Sequence, residues 1–212
     1  MSSTLTDILT AAANGDFPAP DGSTTILPQP GGRDAGVLSF TAHSVIFLDE
    51  DPEWIRAELA AASPDPLAAS MTPRFLTALS ARSGRSVDHI DLMTVADALP
   101  GAPELPLREI HDQHHPRVER ALKYRDEVRV WVTDGGLVTL GRGVAGRMEV
   151  AVEVDETARH RGLGRALATA ARHLTPDPHI WSQQTPGNAR SVRAFQGAGY
   201  RPVGAEALLI AK

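Results

Sequence analysis

The sequence predicts an α+β fold with a mixed sheet, and three observations carry that expectation. Residues Val128 to Val154 read as an antiparallel meander. A glycine-rich turn over Arg159 to Gly164 leads from its last strand into an amphipathic helix. The first hundred residues alternate short β-branched runs with helices that open on Asp-Pro or Thr-Pro.

In chain order, Leu5 to Ala13 reads as a short helix with Thr6 as its cap, and Thr24 to Leu27 as β-structure. Gly31 to Asp34 reads as a turn. Val37 to Leu48 is rich in β-branched and apolar residues and reads as strand. Asp51-Pro52 and Thr72-Pro73 each supply a cap followed by proline in the first turn, where its missing N–H costs nothing. Gly84 ends the second of these helices, and Ile90 to Val95 reads as strand. Pro100-Gly101-Ala102-Pro103 is the expected linker, dividing an N-terminal α+β region (1–104) from a second domain (105–212). Beyond it, Arg108 to Arg125 reads as helix. Val128 to Val132 alternates as a half-buried strand, Asp134-Gly135-Gly136 turns a hairpin, and Leu137 to Val144 returns. After a turn at Gly146-Arg147, Met148 to Val154 forms a third strand. Leu163, Leu167, Ala170, Ala171 and Leu174 then share one helical face.

The bulk composition excludes several function classes. A chain of 212 residues is long enough to bury a real core. Its net charge of -5 does not call for nucleic acid as a partner. With no cysteine, a disulfide framework, a thiolate zinc site and a cysteine nucleophile are excluded. The N-terminal residues lack a basic segment followed by an apolar one, and no stretch approaches the ~20 apolar residues of a spanning helix. The expectation is a cytoplasmic protein without membrane attachment. His111-x-x-His114-His115 has helical spacing but no accompanying catalytic Glu of a zinc hydrolase, so no metal is expected there. His160 and His173 read as surface residues.

The informative segment is Arg159-His160-Arg161-Gly162-Leu163-Gly164. It stands between a strand and a helix, where small residues let backbone approach a ligand and free amides attract phosphate. Arg159, His160, Arg161 and Arg165 concentrate positive charge there in an otherwise acidic chain. A Walker loop would need Gly-Lys-Ser/Thr, which is absent. A dinucleotide fingerprint would need a third glycine, and that position is Leu167. Further on, Asn188 to Tyr200 reads Asn-Ala-Arg-Ser-Val-Arg-Ala-Phe-Gln-Gly-Ala-Gly-Tyr, with Asn188 able to cap a helix and Gly199 able to end it.

These two segments resemble the two signatures of the GNAT N-acetyltransferase superfamily. The first matches Gln/Arg-x-x-Gly-x-Gly/Ala, and the second matches Asn-x-x-Ser/Ala-x-x-x-aromatic-x-x-x-Gly-aromatic. The resemblance covers about Leu105 to Lys212, and the N-terminal half matches no named pattern. It implies a GNAT-like fold that moves an acetyl group from acetyl-CoA to a primary amine, with dimers common. By that resemblance, backbone at Val152, Glu153 and Val154 would bond the pantetheine arm. Amides from Arg159 through His160, Arg161, Gly162, Leu163 and Gly164 to Arg165 would hold the pyrophosphate, and Asn188 would reach the cofactor from the other side. The strands carrying Val154 and Trp181 would part to admit the thioester. The expected bases are Glu149 and Glu153, which alternation places on one strand face, opposite Val150, Val152 and Val154. A bulge in that strand, common in the family, would break this parity. The family's usual proton-donating Tyr is here Phe195, which leaves Tyr200, Ser191 or water to protonate the thiolate. That departure motivates an alternative, a CoA-binding regulatory module without catalysis.

Overall fold

The computed structural model describes residues 3–111 and 116–211 of the chain. It is an α+β fold whose elements in order are α1 (Leu5–Ala13), β1 (Thr24–Leu27), β2 (Gly36–Phe40), β3 (His43–Phe47), α2 (Pro52–Ala62), α3 (Pro73–Ser83), β4 (Ser86–Val87), β5 (Asp91–Asp97) and β6 (Arg108–Ile110). There follow α4 (Pro116–Tyr124), β7 (Asp126–Thr133), β8 (Gly136–Arg142), β9 (Met148–Val154), α5 (Leu163–Leu174), β10 (His179–Gln184), α6 (Ala189–Gly197) and β11 (Arg201–Ile210). Among the described residues no helix is long and apolar enough to cross a membrane.

The chain forms two compact units, Met1–Leu92 with Val203–Lys212, and Met93–Pro202. The linker expected at Pro100 to Pro103 therefore falls inside the second unit. It is tied there to the end of α5: Leu99 N–H donates to the Arg172 carbonyl at 2.8 Å, and the Pro100 carbonyl lies 3.0 Å from His173 Nδ1.

The first unit orders its strands β1-β3-β2-β11, with β4 on β11. β1 runs parallel to β3, while the β3–β2, β2–β11 and β4–β11 pairs are antiparallel. The single strand expected over Val37 to Leu48 is instead a hairpin. Phe40 pairs with His43, and Ala42 at φ 50 supplies the left-handed residue that reverses the chain. α2 and α3 start as expected, with Asp51 and Thr72 side chains accepting from Glu53 and Phe75 amides. Ile55, Phe75, Leu76 and Leu79 pack on Val37, Ile46, Ala207 and Leu209 to close the core. α1 is capped by Thr4 rather than Thr6, because Thr4 and Asp7 complete a reciprocal capping box.

The second unit orders its strands β5-β10-β9-β8-β7-β6. Arg108–Ile110, expected as helix, is strand β6. It pairs antiparallel with β7, and Glu109 accepts both Nε and Nη2 of Arg129 at 2.8 Å. Cross-strand pairing outweighs local helix preference there. Among the described residues the helix covers Pro116–Tyr124. β7, β8 and β9 form the expected meander. The register shift lies in β7, between Asp126 and Arg129, and β8–β9 runs unbroken from Gly136/Val154 to Arg142/Met148. The alternation along β9 is therefore intact. Val150, Val152 and Val154 meet Leu163, Leu167, Ala168 and Ala171 on the α5 face. Val118 of α4 packs with Val130 and Leu137 on the opposite face. Leu167 sits so close to β8 that a Cβ at Gly136 would lie 2.9 Å from it. Its truncation to Ala would cost about 2–5 kcal/mol by cavity formation.

Candidate functional site

The glycine turn is built by its neighbours. Asp155 N–H donates to the Gly135 carbonyl at 2.8 Å, which folds the residues after β9 back over the β7–β8 hairpin. A short 3-10 turn over Glu156–Ala158 packs Ala158 against Gly135, where a Cβ would collide. His160 at φ 65 and Gly162 at φ 83 then occupy left-handed conformations, and α5 begins at once. Among the described residues no side chain caps it. Its first described helical bond runs from Ala166 N–H to the Gly162 carbonyl at 3.1 Å. The amides of Leu163, Gly164 and Arg165 thus precede any intrahelical acceptor, at the positive end of the helix dipole. Arg159, His160, Arg161 and Arg165 are exposed around them. Gly164 lies between Val154 and Ala194 with just room for a methyl group, at 3.6 and 3.8 Å. The Arg165 stem lies against Gly197 of α6.

α6 meets the same end of α5. Asn188 caps it, its Oδ1 accepting from Ser191 N–H at 3.2 Å, so its Nδ2 is the group left to donate. The structure brings Val152, Val154 and the turn together with α5, and it brings α5 against α6 through Gly164–Ala194.

β9 and β10 are parallel, and among the described residues their ladder is a single register pair, Trp181 opposite Glu149. The β8–β9 ladder has seven, from Gly136/Val154 to Arg142/Met148. Past Trp181 and Glu149, toward the turn, the facing edges of β9 and β10 carry no register pair. Strand amides that face such an opening can polarise a bound carbonyl.

Glu149 does not fit the role of base. It is 4% exposed, and its carboxylate accepts from Arg147 Nε at 2.8 Å, Arg125 Nε at 2.9 Å and Val144 N–H at 3.3 Å. Burial alone would raise its pKa. The charges of Arg147 and Arg125 and their hydrogen bonds outweigh that and hold it at about 2. A carboxylate so held is a poor proton acceptor near neutral pH. Glu153 lies on the same face of β9, four residues nearer the turn, and is half-buried.

The aromatic position of the second signature is equally settled in packing terms. Phe195 is buried and stacks edge-on against Tyr200, ring centres 4.9 Å apart. Tyr200 donates its hydroxyl to the Ala168 carbonyl at 3.2 Å, and burial pushes its pKa well above the ordinary tyrosine value. It is a core residue with no free proton to give. Tyr124 is half-buried at the end of α4 under Arg120 and Lys123. Of the histidine triplet, His111 is exposed after β6, while His114 and His115 lie outside the described residues.

Sequence reading missed Arg125, Arg147, Gly143 and Gln183. Arg147 stands just ahead of β9 with extended backbone, two residues before Glu149, so parity puts the two side chains on one side, a signal that was present. Arg125 reaches Glu149 from 24 positions away and donates Nη2 to Gln183 Oε1 at 3.3 Å, and no local pattern announces that. Gly143 leaves the room the Glu149 carboxylate fills. A second buried cluster joins Thr94, Ser182 and Gln184, with Gln184 Nε2 donating to Ser182 Oγ at 2.6 Å.

No protein-family profile and no curated protein sequence matches the chain. Solved structures similar to it include a GCN5-related N-acetyltransferase from Kribbella flavida, 16% identical over 65% of this chain and 64% of that one, with a TM-score of 0.42. A GCN5-related N-acetyltransferase from Sphaerobacter thermophilus is 15% identical over 65% and 56%, with a TM-score of 0.38. An acetyltransferase of the GNAT family from Colwellia psychrerythraea is 9% identical over 82% and 81%, with a TM-score of 0.43. The chain thus spans just under two thirds of the length of the Kribbella protein and 56% of the Sphaerobacter protein.

Proposed function

We propose that this chain is a GNAT-type N-acyltransferase that moves an acetyl group from acetyl-CoA to a primary amine. One observation carries the reading: an uncapped helix start ringed by arginines stands at the turn end of β9, whose ladder with β10 is a single pair. The first feature suits a pyrophosphate and the second suits a thioester arm inserted along a strand edge.

In this reading, amides from Arg159 to Arg165 hold the phosphates while Arg159, Arg161 and Arg165 neutralise them. Backbone at Val152, Glu153 and Val154 bonds the pantetheine arm, and Asn188 donates from α6. Acetyl-CoA supplies an activated acyl carbon. The amine nitrogen bonds to that carbon, the carbon–sulfur bond breaks, and the sulfur leaves with the electron pair. Glu153, directly or through water, takes the amine proton. Water protonates the thiolate, since neither Phe195 nor the hydrogen-bonded Tyr200 supplies a proton. Glu149 holds the narrow end of the opening rigid.

Free thiol released from acetyl-CoA across a panel of primary amines tests this. Amine-dependent thiol release supports the reading, and its absence across the panel contradicts it. The locked Glu149 and the hydroxyl-free Phe195 favour a second reading, a CoA-binding module without catalysis. It predicts tight CoA binding with no thiol release.

A further inference from the structure

We infer that Arg125 and Gln183 form a stop at the narrow end of the β9–β10 opening, restricting the donor to the shortest acyl groups. The inference rests on the acyl-transfer reading above.

The strands are joined where Trp181 pairs with Glu149, and toward Val154 and the α5 turn no register pair joins them among the described residues. A donor whose phosphates occupy the α5 start has one way to run along β9, from Val154 toward Glu149. Those five steps span about 16 Å at ~3.3 Å per residue. The acyl group is the far end of such a donor, so it arrives at whatever fills the narrow end.

What fills it is a set of fixed side chains on one face. Arg125 leaves the end of α4 and passes over β8 at Gly141, where a Cβ would lie 2.9 Å from its own Cβ. It donates Nε to Glu149 on β9 at 2.9 Å and Nη2 to Gln183 on β10 at 3.3 Å. Gln183 is the next residue after Trp181 on that face of β10. The Trp181 ring is buried beneath the Arg147 guanidinium, 5.2 Å from its centre. The Arg125 side chain is 14% exposed and ion-paired to a buried carboxylate, so it does not swing aside cheaply. One side chain therefore bridges both strands just beyond their register pair. Each added methylene on the donor must displace it or stop short of the reactive position.

The test is kcat/KM for acetyl-, propionyl- and butyryl-CoA with one amine. The wild type should lose about tenfold or more per added methylene, the discrimination that one methylene supplies in a closed pocket. Gln183→Ala removes the bridge but leaves the Arg125–Glu149 pair, and should raise the butyryl-to-acetyl ratio about tenfold. Arg125→Lys keeps a charge beside Glu149 with a shorter reach, and should shift the ratio in the same direction. An unchanged ratio in both variants overturns the stop, as does equal loss with every donor, the mark of a purely structural bridge. A wild type that uses acetyl- and butyryl-CoA alike also overturns it while leaving acyl transfer standing. No turnover with any donor overturns acyl transfer and the stop together.

Discussion

Arg125 Nε and Glu149 Oε2 meet at 2.9 Å across strand β8, joining the end of one helix to the strand that leads into the glycine turn. Arg147 completes the grip on the same carboxylate at 2.8 Å. Replacing the carboxylate by an amide leaves two guanidiniums without their shared counter-charge. Glu149→Gln should destabilise the fold by about 3–5 kcal/mol, the usual cost of breaking a buried pair from one side. Urea unfolding at neutral pH measures it.

The same pair makes stability depend on acid. The Glu149 pKa is lowered in the fold from 4.5 to about 2. A group with a depressed folded pKa stabilises fully above its unfolded value and loses that contribution as pH falls toward the folded one. The wild type should therefore lose stability between roughly pH 4.5 and 2. Glu149→Gln should show a shallower loss over that window. Thermal melts across a pH series compare the two directly.

The two glycines of the turn should behave differently. Gly162 sits at φ 83, so Gly162→Ala should cost about 1 kcal/mol in strain and disturb the free amides of α5. Gly164 has space for a methyl group, its nearest neighbour being 3.6 Å away. Gly164→Ala should leave the melting temperature unchanged. Differential scanning calorimetry separates them, and equal destabilisation would contradict the account of the turn.

Tyr200 is assigned to packing rather than proton transfer. Tyr200→Phe removes its bond to the Ala168 carbonyl and should cost about 1 kcal/mol, the net worth of one such bond. The kcat for acetyl transfer and its pH profile should not change. A large fall in kcat with unaltered stability would restore Tyr200 as a proton donor.

Much of the second unit was legible in the sequence, because its signals are local. The alternation of Val150, Val152 and Val154, the Gly135 hairpin and the Asn188 cap each involve residues within a few positions. The Arg108–Ile110 strand was not legible, since only its partner β7 makes it one. The surroundings of Glu149, an expected base, were hidden for a similar reason. Alternation gives the face on which a carboxylate lies, but its proton affinity depends on Arg125, 24 residues earlier. The hairpin within Val37 to Leu48 was hidden because its left-handed residue is Ala42, where a glycine or asparagine would have marked the turn.

Amide hydrogen exchange with and without acetyl-CoA tests most directly whether the α5 start and the β9 edge hold the donor. The account predicts slowed exchange at Arg159 to Arg165 and along Ala151 to Val154, with α2 and α3 unaffected. Unchanged exchange at both segments under saturating acetyl-CoA would contradict it.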